Sequence, residues 1–375
     1  MSLTVRTITT EEHLGHLALY PSASPLQTPA WGRVKQGWDA ESVGWFDAGG
    51  VQRDAALVLY RQAPGTRRSL AYVPEGPAVD WFLPHLVEGR LRPLLNHARE
   101  RGAFAVRMGP PVVVRHWEAS TVEAALADPA VGRARRLGEV PADWTDPRAL
   151  ALTERLRALG WRPVEDGVGQ PGFVVRVGLA GREVEELRAG LGAFWRKGIE
   201  VADESGVRVG WGTEADLGDF HALYARDAAR GGRSARPVEY FRRMWEALNA
   251  DGADGLRLYL AEYEGEVVAA ALMTLSGPVV RHAYTGPAVR HRELRPSCAL
   301  HWRMLCDAHA MGAEFYELGG VTDGLEEGSV AGGPGLGRLR FKVGSGGRVE
   351  ELLGEWEFSL GRMLHKALDV YLARR

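Results

Sequence analysis

The chain has 375 residues, of which 45% are hydrophobic and 25% charged, and its formal net charge at pH 7 is −2. This length suffices for two domains with full cores, and the composition is typical of a soluble globular protein. The near-neutral charge excludes a broadly basic surface, so any nucleic-acid contact must come from a local patch. No apolar run reaches the roughly 18 residues that a membrane-spanning helix needs.

The sequence indicates a reducing compartment. Its two cysteines, Cys298 and Cys306, fall on one predicted helix with a spacing that cannot close a disulfide. Residues 1–17 have neither a basic start nor an apolar core, so they do not read as a signal peptide. We therefore expect a cytoplasmic protein.

In the first part of the chain, residues 11–20 predict a surface helix with His13 and His16 on its solvated face. Residues 43–63 contain a Gly-Gly turn between two β-rich runs and predict a hairpin. The sequence then gives a strand and a Gly-Pro turn, after which "LRP" (91–93) opens a helix that ends at a glycine before another strand. Residues 128–147 are rich in proline, glycine and charge and predict a boundary.

The second part begins with a helix and the start of a strand over 151–165. One or two helices follow that end before Gly206, and another covers 216–230. A hairpin turns at Glu264–Gly265. An amphipathic helix is predicted over 356–375, packed on the first domain.

The two parts repeat each other. Residues 94–109 align without gaps on 304–319, and 71–79 resemble 283–289. In both copies "LRP" opens the helix, at 91–93 and at 294–296. The agreement predicts a duplication into domains 1–150 and 151–355, although convergence of two ordinary αβ units stays open. The order of helix, antiparallel strands, helix and strand predicts a mixed α/β (α+β) fold.

Several kinds of chemistry lack their motifs. There is no C-x-x-C or H-E-x-x-H, so we expect no metal, and neither G-x-S-x-G nor a phosphate-binding G-x-x-x-x-G-K-[ST] is present. The element order suggests the acyl-CoA N-acyltransferase fold called GNAT. In CoA-using members, amides of a glycine-rich loop bind the pyrophosphate. Residues 76–93 and 286–300 lack that loop, so we expect no CoA and no other cofactor.

Eight stretches in order resemble the Fem family (FemA, FemB and FemX): 28–38, 71–80, 169–179, 195–209, 226–241, 284–302, 312–321 and 341–347. Members of that family are tRNA-dependent peptidyltransferases that add amino acids to the side-chain amine of peptidoglycan precursors. The resemblance implies two tandem GNAT-like domains. Because 195–209 runs directly to Gly210, it implies a compact, FemX-like member without a long coiled-coil arm.

The resemblance also implies site residues. It places binding of the precursor on Lys35, Ser234, Arg236, Tyr240 and Tyr284, and the aminoacyl-tRNA end near Phe341 and the catalytic Lys342. A hydroxyl and a guanidinium can bind phosphate oxygens, and an ammonium can stabilise charge on ester oxygens. Glycines at 344, 346 and 347 would let the backbone approach a bulky substrate. Salt-bridge or core roles for Arg236 and Tyr240, and a plain exposed turn at Lys342, are the alternatives.

Two positions depart from the family pattern. Ser345 stands where members commonly have phenylalanine, and Gly109 stands where members often have an acidic residue. A carboxylate base at position 109 is therefore excluded. The reaction does not strictly need one, because the ester is already activated and holding the amine against it lowers the barrier.

We thus expect a monomeric, aminoacyl-tRNA-dependent transferase. It would add a small amino acid, expected to be glycine, to the side-chain amine of UDP-MurNAc-pentapeptide or a lipid-linked muropeptide and so form interpeptide bridges; peripheral membrane contact stays open. One alternative is a GNAT-like N-acyltransferase with another donor that modifies a sugar, lipid or exported polymer. Another is a non-catalytic module that binds nucleotide sugars or tRNA.

Overall fold

The computed structural model describes residues 3–20, 24–127, 134–164, 169–250, 253–275, 277–325 and 335–361. In chain order, these residues form the following helices and strands: β1 (Thr4–Thr7), α1 (Thr10–Leu17), α2 (Pro29–Val34), β2 (Asp39–Phe46), β3 (Gln52–Gln62), β4 (Ser69–Val73), α3 (Pro84–Glu100), β5 (Ala103–Met108), β6 (Val113–Trp117), α4 (Ala119–Ala127), β7 (Trp144–Thr145), α5 (Pro147–Ala158), β8 (Arg162–Pro163), β9 (Phe173–Gly178), α6 (Val184–Ala189), α7 (Ala193–Glu204), β10 (Arg208–Gly212), α8 (Leu217–Arg230), α9 (Val238–Leu248), β11 (Leu256–Tyr263), β12 (Glu266–Thr274), β13 (Val279–Gly286), α10 (Pro296–Ala310), β14 (Phe315–Val321), α11 (Leu336–Val343), β15 (Arg348–Leu352) and β16 (Trp356–Ser359).

The chain forms two compact units. The N-terminal unit contains the described residues of Met1–Val114, Asp146–Gly172 and Leu352–Arg375, and the second unit contains those of Arg115–Thr145 and Phe173–Glu351. These ranges differ from the predicted domains 1–150 and 151–355, because each unit includes chain segments from both sides of the predicted boundary. Residues 128–133 of that boundary lie outside the described residues.

The sheet of the N-terminal unit has the strand order β1-β2-β3-β4-β5-β16-β8. Its neighbours pair antiparallel except β4 and β5, which are parallel from Ser69 to Val73. The apolar positions of α3 recur every three or four residues, and Leu91, Leu94 and Ala98 are buried in the core against this sheet. The last strand, β16, joins the sheet beside β5 with Trp356 opposite Met108.

The sheet of the second unit has the order β10-β11-β12-β13-β14-β9-β15-β6-β7. Strands β13 and β14 are parallel, and their pairing covers only Val279–Arg281 opposite Phe315–Glu317. Helix α10 covers the sheet with Leu300, Met304 and Ala308, which are buried in the core. Because the parallel pairing stops early, β13 and β14 part at their carboxyl ends.

The structure confirms the repeated helix and strand. In each unit, a helix is followed by a glycine with positive φ, +80° at Gly102 and +75° at Gly312, and then by a strand parallel to the one before the helix. The predicted helix start at "LRP" is correct only in the second copy, where Pro296 begins α10. In the first copy α3 begins at Pro84, and Pro93 lies inside it.

Two other predictions are wrong. The helix predicted over 356–375 does not begin there, because residues 356–359 form β16; residues 362–375 lie outside the described residues. His13 and His16 are not on a solvated face but are 0% and 7% exposed. Helix α1 packs on β2 and β3 through this face, and His13 Nδ1 lies 2.8 Å from Ser42 Oγ.

The second unit lacks a long helical arm in the part of the chain that the structure describes. The sequence predicts one or two helices before Gly206, and the structure has two, the six-residue α6 and the 12-residue α7. Strand β10 follows directly. Among the described residues, no helix combines the length and apolar character needed to cross a membrane.

Candidate functional site

The first cluster in the second unit is aromatic. Helix α9 positions Tyr240 in its first turn and β13 positions Tyr284, so that their hydroxyl oxygens lie 3.2 Å apart. The guanidinium carbon of Arg236 lies 4.6 Å from the centroid of the Tyr240 ring, a cation–π contact. Ser234 lies two residues earlier, exposed in the loop between α8 and α9. The structure therefore gathers Arg236, Tyr240 and Tyr284 as the resemblance implied.

Tyr240 keeps its proton. Burial, followed by the neighbouring Tyr284 hydroxyl, raises the pKa of Tyr240 far above its ordinary value. A protonated phenol can donate a hydrogen bond, and Arg236 at the exposed rim presents fixed donors beside it. This edge of the second unit can therefore bind an anionic group such as a phosphate.

The second cluster surrounds Lys342. This lysine is in the last turn of α11, and its Nζ donates a hydrogen bond to the carbonyl oxygen of Gly320 at 2.9 Å. Burial lowers its pKa to about 8, with a further contribution from Arg338, whereas the Glu317 carboxylate opposes the shift. Lys342 is thus a half-buried amine at the end of a helix, not an exposed residue in a turn.

Two histidines that the sequence analysis did not single out lie beside Lys342. The rings of His282 and His301 are 4.7 Å apart in a T-shaped contact, and His301 Nδ1 is 3.0 Å from the Tyr316 hydroxyl. Burial, supported by the Lys342 charge, lowers the pKa of His282 to about 3 and that of His301 well below its ordinary value. Both are therefore neutral at pH 7, and His282 Nε2 is buried without a hydrogen-bond partner.

The position of this cluster follows from the strands. His282 is the first residue of β13 beyond its parallel pairing with β14, and Gly320 is near the end of β14. Ligands of parallel sheets bind at the carboxyl ends of strands where neighbours diverge. A register irregularity between Leu272 and Met273 on β12 places His282 opposite Met273 and Tyr284 opposite Leu272. The two clusters are thus supported by the same strand.

Phe341 packs inside this unit. Its ring centroid is 4.9 Å from that of Trp195 and 6.4 Å from that of Phe194, and its carbonyl accepts a hydrogen bond from Trp195 Nε1 at 2.7 Å. With Phe194, Arg292 and Arg295 it lines a pocket of about 440 Å³ near the start of α10. Phe341 therefore has one face in the core and one on an open pocket.

The glycines after Lys342 pack against other parts of the second unit. Gly346 has φ +76°, and a Cβ there would lie 2.5 Å from the carbonyl oxygen of Gly190; a Cβ on Gly344 would lie 3.0 Å from Trp195. Ser345 is buried and donates to the Lys342 carbonyl at 2.6 Å. These contacts account for the glycines by close approach of the second unit's own chain.

The N-terminal unit contains Lys35, which lies at the end of α2 with its Nζ 5.1 Å from the Trp31 ring centroid. The structure places Lys35 in a different unit from the other predicted site residues, so it does not test their association. Its role therefore stays a prediction.

A buried carboxyl in the N-terminal unit also escaped the sequence analysis. A Cβ on Gly109 would collide with the terminal amide of Gln170, so Gln170 fills the space that an acidic side chain would need. In the same unit, Glu355 directly precedes β16. Its side chain is 3% exposed and accepts a hydrogen bond from the Tyr72 hydroxyl at 2.7 Å. Burial raises the pKa of Glu355, and its Oε2 has no hydrogen-bond partner. It lies 246 residues from Gly109 in sequence, which explains why no local pattern revealed it.

Within the described ranges, no three or more His, Cys, Asp or Glu side chains are grouped so that they could hold a metal ion. Cys298 and Cys306, both on α10, are free thiols. Burial raises the pKa of each to about 11, so neither is a thiolate at pH 7.

Two units, each with a mixed sheet and a helix that connects two parallel strands, define a tandem acyltransferase fold. A tandem GNAT protein from the clavulanic acid biosynthesis pathway shares this fold with a TM-score of 0.53 and 15% identity, over 96% of this chain and 99% of that one. The crystal structure of FemX is more similar, with a TM-score of 0.77 and 19% identity over 97% and 99% of the two chains.

The FemAB family model matches residues 8–264 and 253–371, and the chain belongs to the FemAB family. Its relatives include the UDP-N-acetylmuramoylpentapeptide-lysine N(6)-alanyltransferase of Weissella viridescens, 25% identical over 80% of this chain and 81% of that protein. The lipid II:glycine glycyltransferase of Staphylococcus aureus is 20% identical over 96% and 94%. The predicted family and the predicted tandem GNAT-like fold are thereby confirmed, and the predicted class of enzyme, an aminoacyltransferase of peptidoglycan synthesis, is the class named for both relatives.

Proposed function

We propose that this chain is an aminoacyl-tRNA-dependent aminoacyltransferase that attaches a small amino acid, glycine, to the side-chain amine of a peptidoglycan precursor. The relatives named above act on a UDP-linked pentapeptide and on lipid II, and these two forms are the candidate acceptors. Monomeric state, cytoplasmic location and peripheral membrane contact stay predictions.

The observation that carries the proposal is the position of α11. Its Lys342 reaches the carbonyl of Gly320 where β13 and β14 part, and Arg338, one turn earlier, pairs with Asp227 on α8. Helix α8 leads directly into the loop that holds Ser234 and Arg236. One short helix thus contacts both the lysine cluster and the element that supports the anion-binding arginine.

In the reaction, the acceptor amine attacks the ester carbonyl of the aminoacyl-tRNA. The C–N amide bond forms, the C–O ester bond breaks, and the tRNA 3′ hydroxyl leaves with a proton that the amine gives up. An ammonium aimed at the developing negative charge on the ester oxygens stabilises the transition state, which is the role we assign to Lys342. Phe341 holds α11 against the core so that this amine is fixed in place.

Arg236, Tyr240 and Ser234 would hold the acceptor by its diphosphate. The guanidinium can make two parallel hydrogen bonds to phosphate oxygens, and the hydroxyls of Ser234 and Tyr240 add donors. The diphosphate is distant from the reacting atoms, and binding it orients the acceptor's amine. This cluster therefore contributes to affinity and positioning rather than to the bond-forming step.

The test is a transfer assay with the purified full chain. Glycyl-tRNA or alanyl-tRNA is supplied with UDP-MurNAc-pentapeptide or a lipid-linked muropeptide, and the product is analysed by mass spectrometry. We expect a product heavier by one glycine residue and dependent on charged tRNA. Product formed from acetyl-CoA alone would instead support the other N-acyltransferase, and binding of both substrates without any turnover would indicate a non-catalytic module.

A further inference from the structure

Three arginines surround one buried carboxylate in the second unit. Asp227 on α8 pairs with Arg230 one turn later, with Arg233 in the following loop at 3.1 Å and with Arg338 on α11 at 3.5 Å. The Asp227 side chain is 10% exposed, whereas those of the three arginines are 41–48% exposed. These four side chains carry three positive charges and one negative charge, and the positive groups face solvent.

The excess positive charge acts on the arginines themselves. Burial and the neighbouring Arg233 and Arg230 lower the pKa of Arg338, and Asp227 compensates only in part. Guanidiniums held this close by a single carboxylate repel one another, so an added anion would lower the electrostatic energy of the cluster. Asp227 also fixes the side chains before any ligand arrives, which reduces the entropy that binding would cost.

The cluster continues toward Lys342. Arg338 and Lys342 are four residues apart on α11 and therefore share one face of the helix, separated by about 6 Å along its axis. The buried residues Leu336, Leu339 and Val343 occupy another face. A row of cations that starts at α8 and leads along α11 to the amine matches a ligand with negative charges repeated along a chain.

We propose that Arg230, Arg233 and Arg338 bind successive backbone phosphates of the RNA whose aminoacyl ester reacts beside Lys342. This inference rests on the proposed function, since it names how the donor is held. A single diphosphate would occupy one or two guanidiniums, whereas a polynucleotide strand can engage all three. Such contacts set the register of the RNA and read no sequence.

The test is equilibrium binding of the full chain to a deacylated hairpin RNA with a single-stranded 3′ end. Fluorescence anisotropy measures the Kd at several salt concentrations. Arg233→Ala and Arg338→Ala should each weaken binding about tenfold, and each should reduce the slope of log Kd against log salt by about 1. The matched control is Arg340→Ala on the same helix, because Arg340 is exposed about 160° around the axis from Arg338. This control should bind like the wild type.

Thermal melting identifies variants that fail to fold. If a variant fails, Arg233→Gln is used instead, because position 233 lies in a loop. Unchanged affinity and salt slope in folded variants would overturn the inference, as would a rise in the acceptor KM in place of the RNA KM. The two proposals fail differently. RNA binding through these arginines without transfer would refute the proposed enzyme, whereas transfer with unaltered RNA affinity in the variants would refute this site alone.

Discussion

The Nζ of Lys342 and the carbonyl oxygen of Gly320 are 2.9 Å apart, and this contact holds the amine where the two parallel strands of the second unit diverge. A backbone carbonyl oxygen accepts a hydrogen bond from the ammonium and carries no formal charge, so it does not neutralise the charge of Lys342. The ammonium therefore stays available to a negative charge that develops nearby. Several consequences of this placement and of the surrounding clusters can be measured.

Replacing the amine should impair the chemical step. We expect Lys342→Met to lower kcat about 100-fold or more with little effect on the acceptor KM, because the lost contact is made in the transition state. Lys197→Met is the control, since Lys197 is an exposed lysine of α7 that pairs with Glu200. Steady-state transfer assays measure both. Equal loss of activity in the two variants would contradict the role of Lys342.

The alkaline limb of the pH profile should also report Lys342. Because its pKa is about 8, the ammonium is lost as the pH rises through that value, and its contribution to kcat should be lost above about pH 8. Lys342→Arg should remove this limb, since a guanidinium keeps its charge. Rates are corrected for spontaneous ester hydrolysis measured without enzyme. Deprotonation of the acceptor amine raises the rate of both proteins, so the wild-type kcat is divided by that of Lys342→Arg at each pH. A ratio that rises through about pH 8 would contradict the role of the Lys342 ammonium.

Arg236 should affect the acceptor more than the donor. Loss of its hydrogen bonds to phosphate in Arg236→Ala should raise the acceptor KM at least about tenfold and change the charged-tRNA KM far less. Arg242→Ala on α9 is the control, because Arg242 is 55% exposed and lies within the same element as Tyr240. Similar increases in both KM values would show that Arg236 does not serve the acceptor specifically.

Acid should destabilise the N-terminal unit through His13. Burial holds its pKa at about 4 in the folded chain, whereas the unfolded value is about 6.5. The unfolded state therefore takes up a proton first, so this contribution is complete above about pH 6.5 and is lost as the pH falls toward 4, to a total of about 3 kcal/mol. Urea unfolding of His13→Leu should show a smaller loss over this range. The lowered pKa values of His16, His282 and His301 act in the same direction, so His13→Leu removes only part of the pH dependence of the free energy of unfolding. An unaltered pH dependence in His13→Leu would disprove the role of His13.

Gly346 should be required for folding rather than for substrate access. Gly346→Ala places a Cβ in a left-handed conformation and against the Gly190 carbonyl, which should lower the free energy of unfolding by roughly 2 kcal/mol or more. Gly337→Ala, in α11 with no neighbour near its Cβ position, should be neutral or slightly stabilising. Chemical denaturation compares them. A stable Gly346→Ala protein with a raised donor KM would restore the interpretation of the glycines as a substrate path.

The sequence predicts the repeated helix, glycine and strand well because their signals are local. An amphipathic helix, a glycine after it and a short apolar strand are read within about twenty residues, and Gly102 and Gly312 adopt the positive φ that this pattern implies. Residues that meet across the fold leave no such signal. His282 and His301 read as two of eleven scattered histidines, and Glu355 is separated from Tyr72 by most of the chain. The prediction for His13 is wrong because one face of a short helix can carry polar residues and still pack on a sheet.

Strand β16 lies between β5 and β8, although the ribosome makes it only after every residue of the second unit. Until it emerges, the nascent sheet has an open edge at β5, whose unpaired amides and carbonyls are a template for pairing with other chains. A premature stop immediately before codon 356 would therefore spare the lysine and arginine clusters yet leave a polypeptide prone to aggregate.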